Sequence, residues 1–326
     1  MFEHKAFMHF IDACHEKKHD IVSLTIVETE GSTYQKQGTT MLVSSSHEMM
    51  GVLSGGCIED ALVHCCDEVL KNGYGKLVTH DLRLPDDSKE SWEEGVGCNG
   101  LIKVWLEPFY YSNNYGVLGE ALSYAKKGIP TTLHRSLKGG SKSSPTLSTK
   151  TLHVKMVYDE ATYILSQPIY PTFKVLVLGV GLAVQAFVDM ANILGWQTYV
   201  CDTRHENLNA IVHADQRVLL GSFRDIDTLI QKERFDACAI MSHEFKSDSY
   251  YVQALMNEAI DYVGLLGSKE RTHKILQFLG DKVTLDERFH APIGLSIGAQ
   301  TPQSIALAIC AEIEAVKNKK EKKSHA

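Results

Sequence analysis

The sequence predicts an α/β protein in two parts, an N-terminal α+β domain followed by a doubly wound parallel sheet. Three observations carry this expectation. At 326 residues the chain exceeds the usual single-domain size. Beyond residue 171 short apolar strands alternate with helical patterns, which calls for a parallel sheet with crossover helices. Before it, runs such as 20–27 alternate in polarity and are rich in β-branched residues.

Taken in order, residues 2–18 carry apolar side chains at Phe2, Ala6, Phe7, Phe10, Ile11 and Cys14, the spacing of an amphipathic helix. A strand over 20–27 follows, then a turn at Gly31-Ser32-Thr33. Residues 39–43 and 49–53 read as a hairpin. Residues 57–70 read as a helix with Leu62, Cys65, Cys66 and Val69 inward, so Cys65 and Cys66 are packing residues. Strands are expected at 76–82 and 101–106, separated by a polar surface loop over 84–94. A helix over 116–127 leads to strand-like pieces at 131–134, 152–158 and 162–165, with a flexible Gly/Ser loop at 139–145. The resulting boundaries are 1–112 for the N-terminal domain, 113–171 for a connecting α/β segment, 172–318 for the doubly wound domain and 319–326 for a basic tail.

In the second part, strands are expected at 175–178, 197–201, 217–220, 236–241 and 262–266, with a helix over 182–194. Thr301 as N-cap and Pro302 at the first helical position open a last helix, with Ile305, Ile309 and Ile313 on one face. The basic run 317–323 reads as a solvated, fraying tail.

Composition excludes several classes. A hydrophobic content of 44% with only 8 prolines is that of a globular chain, not a disordered one. A net charge of −7 argues against nucleic acid, whose phosphates need clustered Lys and Arg. No stretch approaches the ~18 apolar residues of a membrane span, and no signal peptide opens the chain, so a cytoplasmic location is expected. The 8 cysteines include no Cys-x-x-Cys pair, so reduced thiols are expected.

The segment Ser54-Gly55-Gly56-Cys57-Ile58-Glu59 is the most informative. Two glycines allow a sharp turn, and a thiol at a helix N-terminus is favoured as thiolate by the dipole. The alternative for Cys57 is a small apolar packing residue. Cys98 lies in a second glycine-rich loop, 95–100, with the same two readings. Gly179-Val180-Gly181 follows a strand and opens a helix, the phosphate-cradling turn of a Rossmann-like domain. Asp202, at the end of the next strand, is placed to accept from a ribose 2′-hydroxyl. Val184 stands where a third glycine would complete the motif. His243 follows the fourth strand, where it would act as acid or base or serve as a cap or surface residue. Ser268 and Arg271, after the fifth, would hold a phosphate or carboxylate.

Together these segments resemble the XdhC/CoxI family, accessory proteins of xanthine dehydrogenase and related molybdenum hydroxylases. The resemblance rests on Gly31-Ser32-Thr33 with Gly38, residues 54–59, residues 95–100 leading to Glu107-Pro108, Gly179 to Gly181 with Asp202, and residues 262–271. Ala291-Pro292-Ile293-Gly294-Leu295 with Gly298-Ala299 and Thr301-Pro302 is its most specific part. It implies a chaperone that binds the molybdenum cofactor, as molybdopterin or its nucleotide form. The cofactor would be held during sulfuration by a cysteine desulfurase and inserted into the apo-hydroxylase. It also implies that Cys57 binds the cofactor near molybdenum, with Gly55, Gly56, Glu59 and Cys98 around it, and that the chain is a homodimer. The chain departs from the family at Leu182, where a histidine is common, and at Ser296, where an acid is. The competing readings are an NAD(P)-dependent oxidoreductase using His243, and a thiol redox enzyme pairing Cys57 with Cys98.

Overall fold

The computed structural model describes residues 5–56, 58–81, 99–137, 146–148, 157–159 and 163–323. The chain divides into two compact units, Met1–Pro171 and Thr172–Ala326. Residues 113–171, read from the sequence as a connecting segment, belong to the first of these.

The first unit opens with α1 (Lys5–Glu16), whose Phe7, Met8, Ile11 and Cys14 form one buried face. Then come β1 (Ile21–Ser32), β2 (Thr40–Ser44), β3 (Met49–Met50), α2 (Glu59–Asn72), β4 (Lys76–Asp81) and β5 (Asn99–Phe109). The strands form an antiparallel sheet in the order β3-β2-β1-β5-β4. Val22, Leu24 and Ile26 of β1 share a core with Leu62, Cys66 and Val69 of α2, as the two-residue period of a strand requires. Gly73, at φ +80, ends α2 with its N–H bonded to the Val69 carbonyl.

Residues 116–169 add α3 (Gly116–Lys126), β6 (Thr131–Ser136), β7 (Thr146–Ser148), β8 (Val157–Asp159) and β9 (Ile164–Ile169). These strands form a second antiparallel sheet in the order β7-β6-β9-β8. Between the two sheets lies a buried polar network. Arg135, 1% exposed, donates to Glu107 at 3.2 Å and to Gln167, and Gln167 donates to Thr40 at 3.1 Å.

The second unit contains β10 (Lys174–Leu178), α4 (Leu182–Ile193), β11 (Gln197–Asp202), α5 (His205–Asn209), β12 (Gln216–Leu219), α6 (Ile226–Lys232) and β13 (Ala237–Ile240). It continues with α7 (Phe245–Met256), β14 (Tyr262–Leu265), α8 (Lys269–Leu279), β15 (Phe289–His290) and α9 (Pro302–Lys323). All six strands are parallel in the order β12-β11-β10-β13-β14-β15, the doubly wound Rossmann arrangement. Apolar cores lie on both faces, which explains the near-continuous apolar runs of β10 and β13.

Three expectations need correcting. Gly31 and Ser32 are not a turn but the end of β1, because Gly100 and Asn99 of β5 pair with them. The second helix begins at Glu59, not Cys57. The basic run is not a tail after a helix: α9 continues to Lys323, since lysine is a good helix former and its charge suits a helix C-terminus. Thr301 caps α9 as expected, its Oγ1 accepting from the Ser304 N–H at 3.2 Å. The expected loops at 84–94 and 139–145 lie outside the described residues.

Candidate functional site

The Glu59 carboxylate organises the segment before α2. Its Oε1 accepts the N–H groups of Leu53 at 3.0 Å and Ser54 at 2.7 Å. Its Oε2 accepts the Ser54 hydroxyl at 2.5 Å and the N–H groups of Gly56 at 3.0 Å and Ile58 at 3.3 Å. Burial pushes the carboxyl up, but hydrogen bonds from the Ser54 hydroxyl and the Ser54, Leu53 and Glu59 N–H groups outweigh it and bring it down to about 2. Gly55 and Gly56 make the turn at φ +79 and +108, a region that costs any other residue strain. A Cβ on Gly56 would meet nothing within 4 Å, so backbone conformation rather than space demands glycine there.

Both Glu59 oxygens thus accept from the loop itself, and the carboxylate shapes the turn. Cys57 lies outside the described residues, as does Cys98; the described neighbours of Cys57, Gly56 and Ile58, are both tied to Glu59. The positive end of α2 already faces two acids, Glu59 and Asp60, in its first turn. Dipole stabilisation of a thiolate is therefore shared with them.

Antiparallel pairing gathers the relevant loops at one end of the first sheet. Ser32 ends β1 opposite Asn99, which begins β5, and Met50 ends β3 opposite Leu42 of β2. Asp81 ends β4 opposite Leu101. Residues 33–39 and 51–56 thus leave the sheet on the same side, at the end where β4 stops and β5 starts. The Tyr34 ring bridges these two segments, its Cε2 3.5 Å from where a Gly55 Cβ would stand.

In the second unit, Gly179 sits where β10 gives way to α4, and its N–H donates to the Cys201 carbonyl at 2.9 Å. A Cβ there would stand 2.4 Å from the Met241 carbonyl oxygen and 2.6 Å from the Ser242 nitrogen. Glycine is what lets the β10 turn meet the end of β13, at the point where strand order reverses. Gly181 caps α4 at φ +145 with open space above it. Val184 packs into the core at 2% exposure, filling the place of a third glycine. Leu182, 79% exposed, stands at the mouth of the turn.

His243 is exposed and held at φ +60, a strained conformation for its residue type, and its imidazole bonds to no described residue. Asp202 ends β11 as expected, but its carboxylate is not free. Arg204 grips it through Nε and Nη2, both at 2.8 Å, and through its backbone N–H at 2.8 Å. Ser268 caps α8 by accepting from the Arg271 N–H. Arg271 is paired through one nitrogen, its Nη2 donating at 2.7 Å to Asp248, a fully buried acid that also accepts the Ser242 hydroxyl at 2.5 Å. A buried carboxylate must be paired, and Arg271 is its partner.

The structure therefore gathers Gly55, Gly56 and Glu59 in the first unit, and Gly179, Gly181, Asp202, His243, Ser268 and Arg271 at the carboxyl end of the parallel sheet of the second. Sequence reasoning missed Tyr34, Arg204 and Asp248. Arg204, two residues from an expected ligand, was the one with a readable signal. Among the described residues no three His, Cys, Asp or Glu side chains form a metal site, and no helix is long and apolar enough to cross a membrane.

These features agree with two family models. One, described as the XdhC Rossmann domain, matches residues 175–313, and the other, the XdhC and CoxI family, matches residues 14–81. The chain belongs to the XdhC and CoxI family. Among its relatives, a probable xanthine dehydrogenase subunit from Bacillus subtilis (strain 168) is 28% identical over 327 residues, covering 94% of this chain and 96% of the relative. The molybdenum cofactor insertion chaperone PaoD of Escherichia coli (strain K12) is 21% identical over 327 residues, 99% of this chain and 91% of PaoD. A crystal structure of a xanthine dehydrogenase from Bacillus halodurans matches with a TM-score of 0.76 and 26% identity, over 96% of each chain. The loop at 54–59 falls within the XdhC and CoxI match, whereas Cys98 falls between the two matches.

Proposed function

We propose that this chain is an accessory protein of a xanthine dehydrogenase-type molybdenum hydroxylase. It binds the molybdenum cofactor, as molybdopterin or its nucleotide form, holds it while a cysteine desulfurase supplies the terminal sulfur, and inserts it into the apo-enzyme. The observation that carries this reading is the loop folded around Glu59, which fixes the residues on both sides of Cys57. Molybdenum in its dithiolene is a soft centre, and a thiolate is the matching protein donor. Cys57 is that donor, with Cys98, the residue before the start of β5, as a second thiol.

In the second unit by itself, the turn at Gly179 to Gly181, opening α4 with unobstructed space, supplies N–H groups and a positive helix end suited to a phosphate. The names of the Escherichia coli and Bacillus subtilis relatives support both cargo and client. A homodimer in the cytoplasm fits such a role. The NAD(P)-dependent oxidoreductase reading has less behind it, because Arg204 occupies the acid meant for the ribose and the thiol loop has no task in hydride transfer.

The test is transfer. Protein incubated anaerobically with molybdenum cofactor and passed through gel filtration is expected to elute with molybdenum and to restore xanthine oxidation to an apo-xanthine dehydrogenase. Elution without molybdenum would contradict the proposal, and NADH oxidation with a small carbonyl substrate would favour the alternative.

A further inference from the structure

Tyr34 is a large aromatic side chain that the fold does not use. It is 61% exposed, belongs to none of the buried clusters, and its hydroxyl has no hydrogen-bond partner among the described residues. Yet the ring is held in place. Its Cδ2, Cε2 and Cζ lie 3.5–3.6 Å from where a Gly55 Cβ would stand, so it rests against the glycine turn. The segment carrying it is pinned on both sides. Thr33 Oγ1 donates to the Gln35 carbonyl and Gln37 Nε2 to the Val27 carbonyl, each at 2.8 Å, while the Gly38 N–H donates to the Ile26 carbonyl at 2.9 Å.

We infer that the Tyr34 ring is the surface on which the planar pterin of the cargo stacks. This rests on the cargo proposed above. A fixed, exposed aromatic ring offers a π-face with little ordering cost, and one heteroaromatic ring stacked on such a side chain gains on the order of tenfold in affinity. Gly55 is separated from Cys57 by Gly56 alone, so the backbone against which the ring rests is at most about 7 Å of chain from position 57. The pterin and the metal-bearing dithiolene are parts of one molecule. A thiol for the metal therefore calls for an aromatic face nearby, and Tyr34 is placed to be it. Its hydroxyl is incidental to stacking, which separates this role from a hydrogen-bonding one.

The test uses 6-carboxypterin, a fluorescent pterin with neither metal nor dithiolene, titrated into the full-length chain. Wild type, Tyr34→Phe and Cys57→Ala are expected to bind it alike, and Tyr34→Leu about tenfold more weakly. Because the side chain is exposed, both Tyr34 variants are expected to keep the wild-type far-ultraviolet circular dichroism. Equal binding by Tyr34→Leu, or no binding by wild type, overturns the inference. If Cys57→Ala keeps the whole molybdenum cofactor while Tyr34→Leu loses the free pterin, the thiol role fails and the stacking role stands.

Discussion

The Ser54 hydroxyl stands 2.5 Å from Oε2 of Glu59, and the same carboxylate collects the N–H groups of Leu53, Ser54, Gly56 and Ile58. An anion thus takes the place that a hydrophobic core takes elsewhere, as the centre about which a loop is wound. Its charge is what the loop depends on. The Glu59 carboxyl titrates near 2 in the folded protein, below its ordinary value of 4.5. Its stabilisation is therefore complete above pH 4.5 and is lost as pH falls through 2. Glu59→Gln is expected to cost no more than about 3 kcal/mol at pH 7, with the difference from wild type shrinking as pH drops from 5 toward 2. Urea unfolding across that range measures it; a difference independent of pH would deny the charge its role.

Thiol reactivity separates site from core. Burial pushes Cys14 up to about 11 and Cys66, Cys201 and Cys310 up to about 12, and raises Cys238 well above its ordinary value. Iodoacetamide at pH 7.5 is expected to modify Cys57 and Cys98 in the native protein, while these five react only after unfolding. Peptide mass spectrometry reads this directly, and early modification of Cys201 or Cys238 would contradict the packing described.

The two glycines of the α4 turn should answer differently to alanine. At Gly179 the new Cβ would drive into the Met241–Ser242 backbone, whereas at Gly181 it would meet nothing within 4 Å and bear only backbone strain. Thermal melts are expected to show Gly181→Ala losing about 1–3 kcal/mol and Gly179→Ala losing clearly more. Equal losses would mean the turn does not press against the end of β13.

The Arg135–Glu107 pair makes a second contrast. Burial pushes the Glu107 carboxyl up, and the facing guanidinium works against that. Removing one partner strands a buried charge, so Arg135→Ala is expected to destabilise by about 3–5 kcal/mol. The double change Arg135→Met with Glu107→Gln is expected to recover most of this, as denaturant midpoints would reveal.

Much of this was legible in the sequence because the determinants were local. The runs in β10, β11, β13 and β14 are short and apolar, as strands buried on both faces must be, and the glycine pairs announced turns that no other residue makes cheaply. β15 was not legible: Phe289–His290 becomes a strand only because Val263 and Gly264 lie beside it. Nor was the extension of β1 through Gly31, which Gly100 supplies from a distance. In the site, residue identity could be read but commitment could not. Glu59, Asp202 and Arg271 carry the right chemistry for a ligand, yet each is bound to its own protein by partners, Ser54, Arg204 and Asp248, whose direction only the folded chain reveals.

The most direct test of the account is anaerobic retention of molybdenum cofactor by wild type and by Cys57→Ala, with Cys98→Ala alongside, read as molybdenum per protein after gel filtration. Wild type is expected to retain it and Cys57→Ala to lose most of it. Retention by Cys57→Ala equal to wild type would remove that thiol from the site and contradict the central claim.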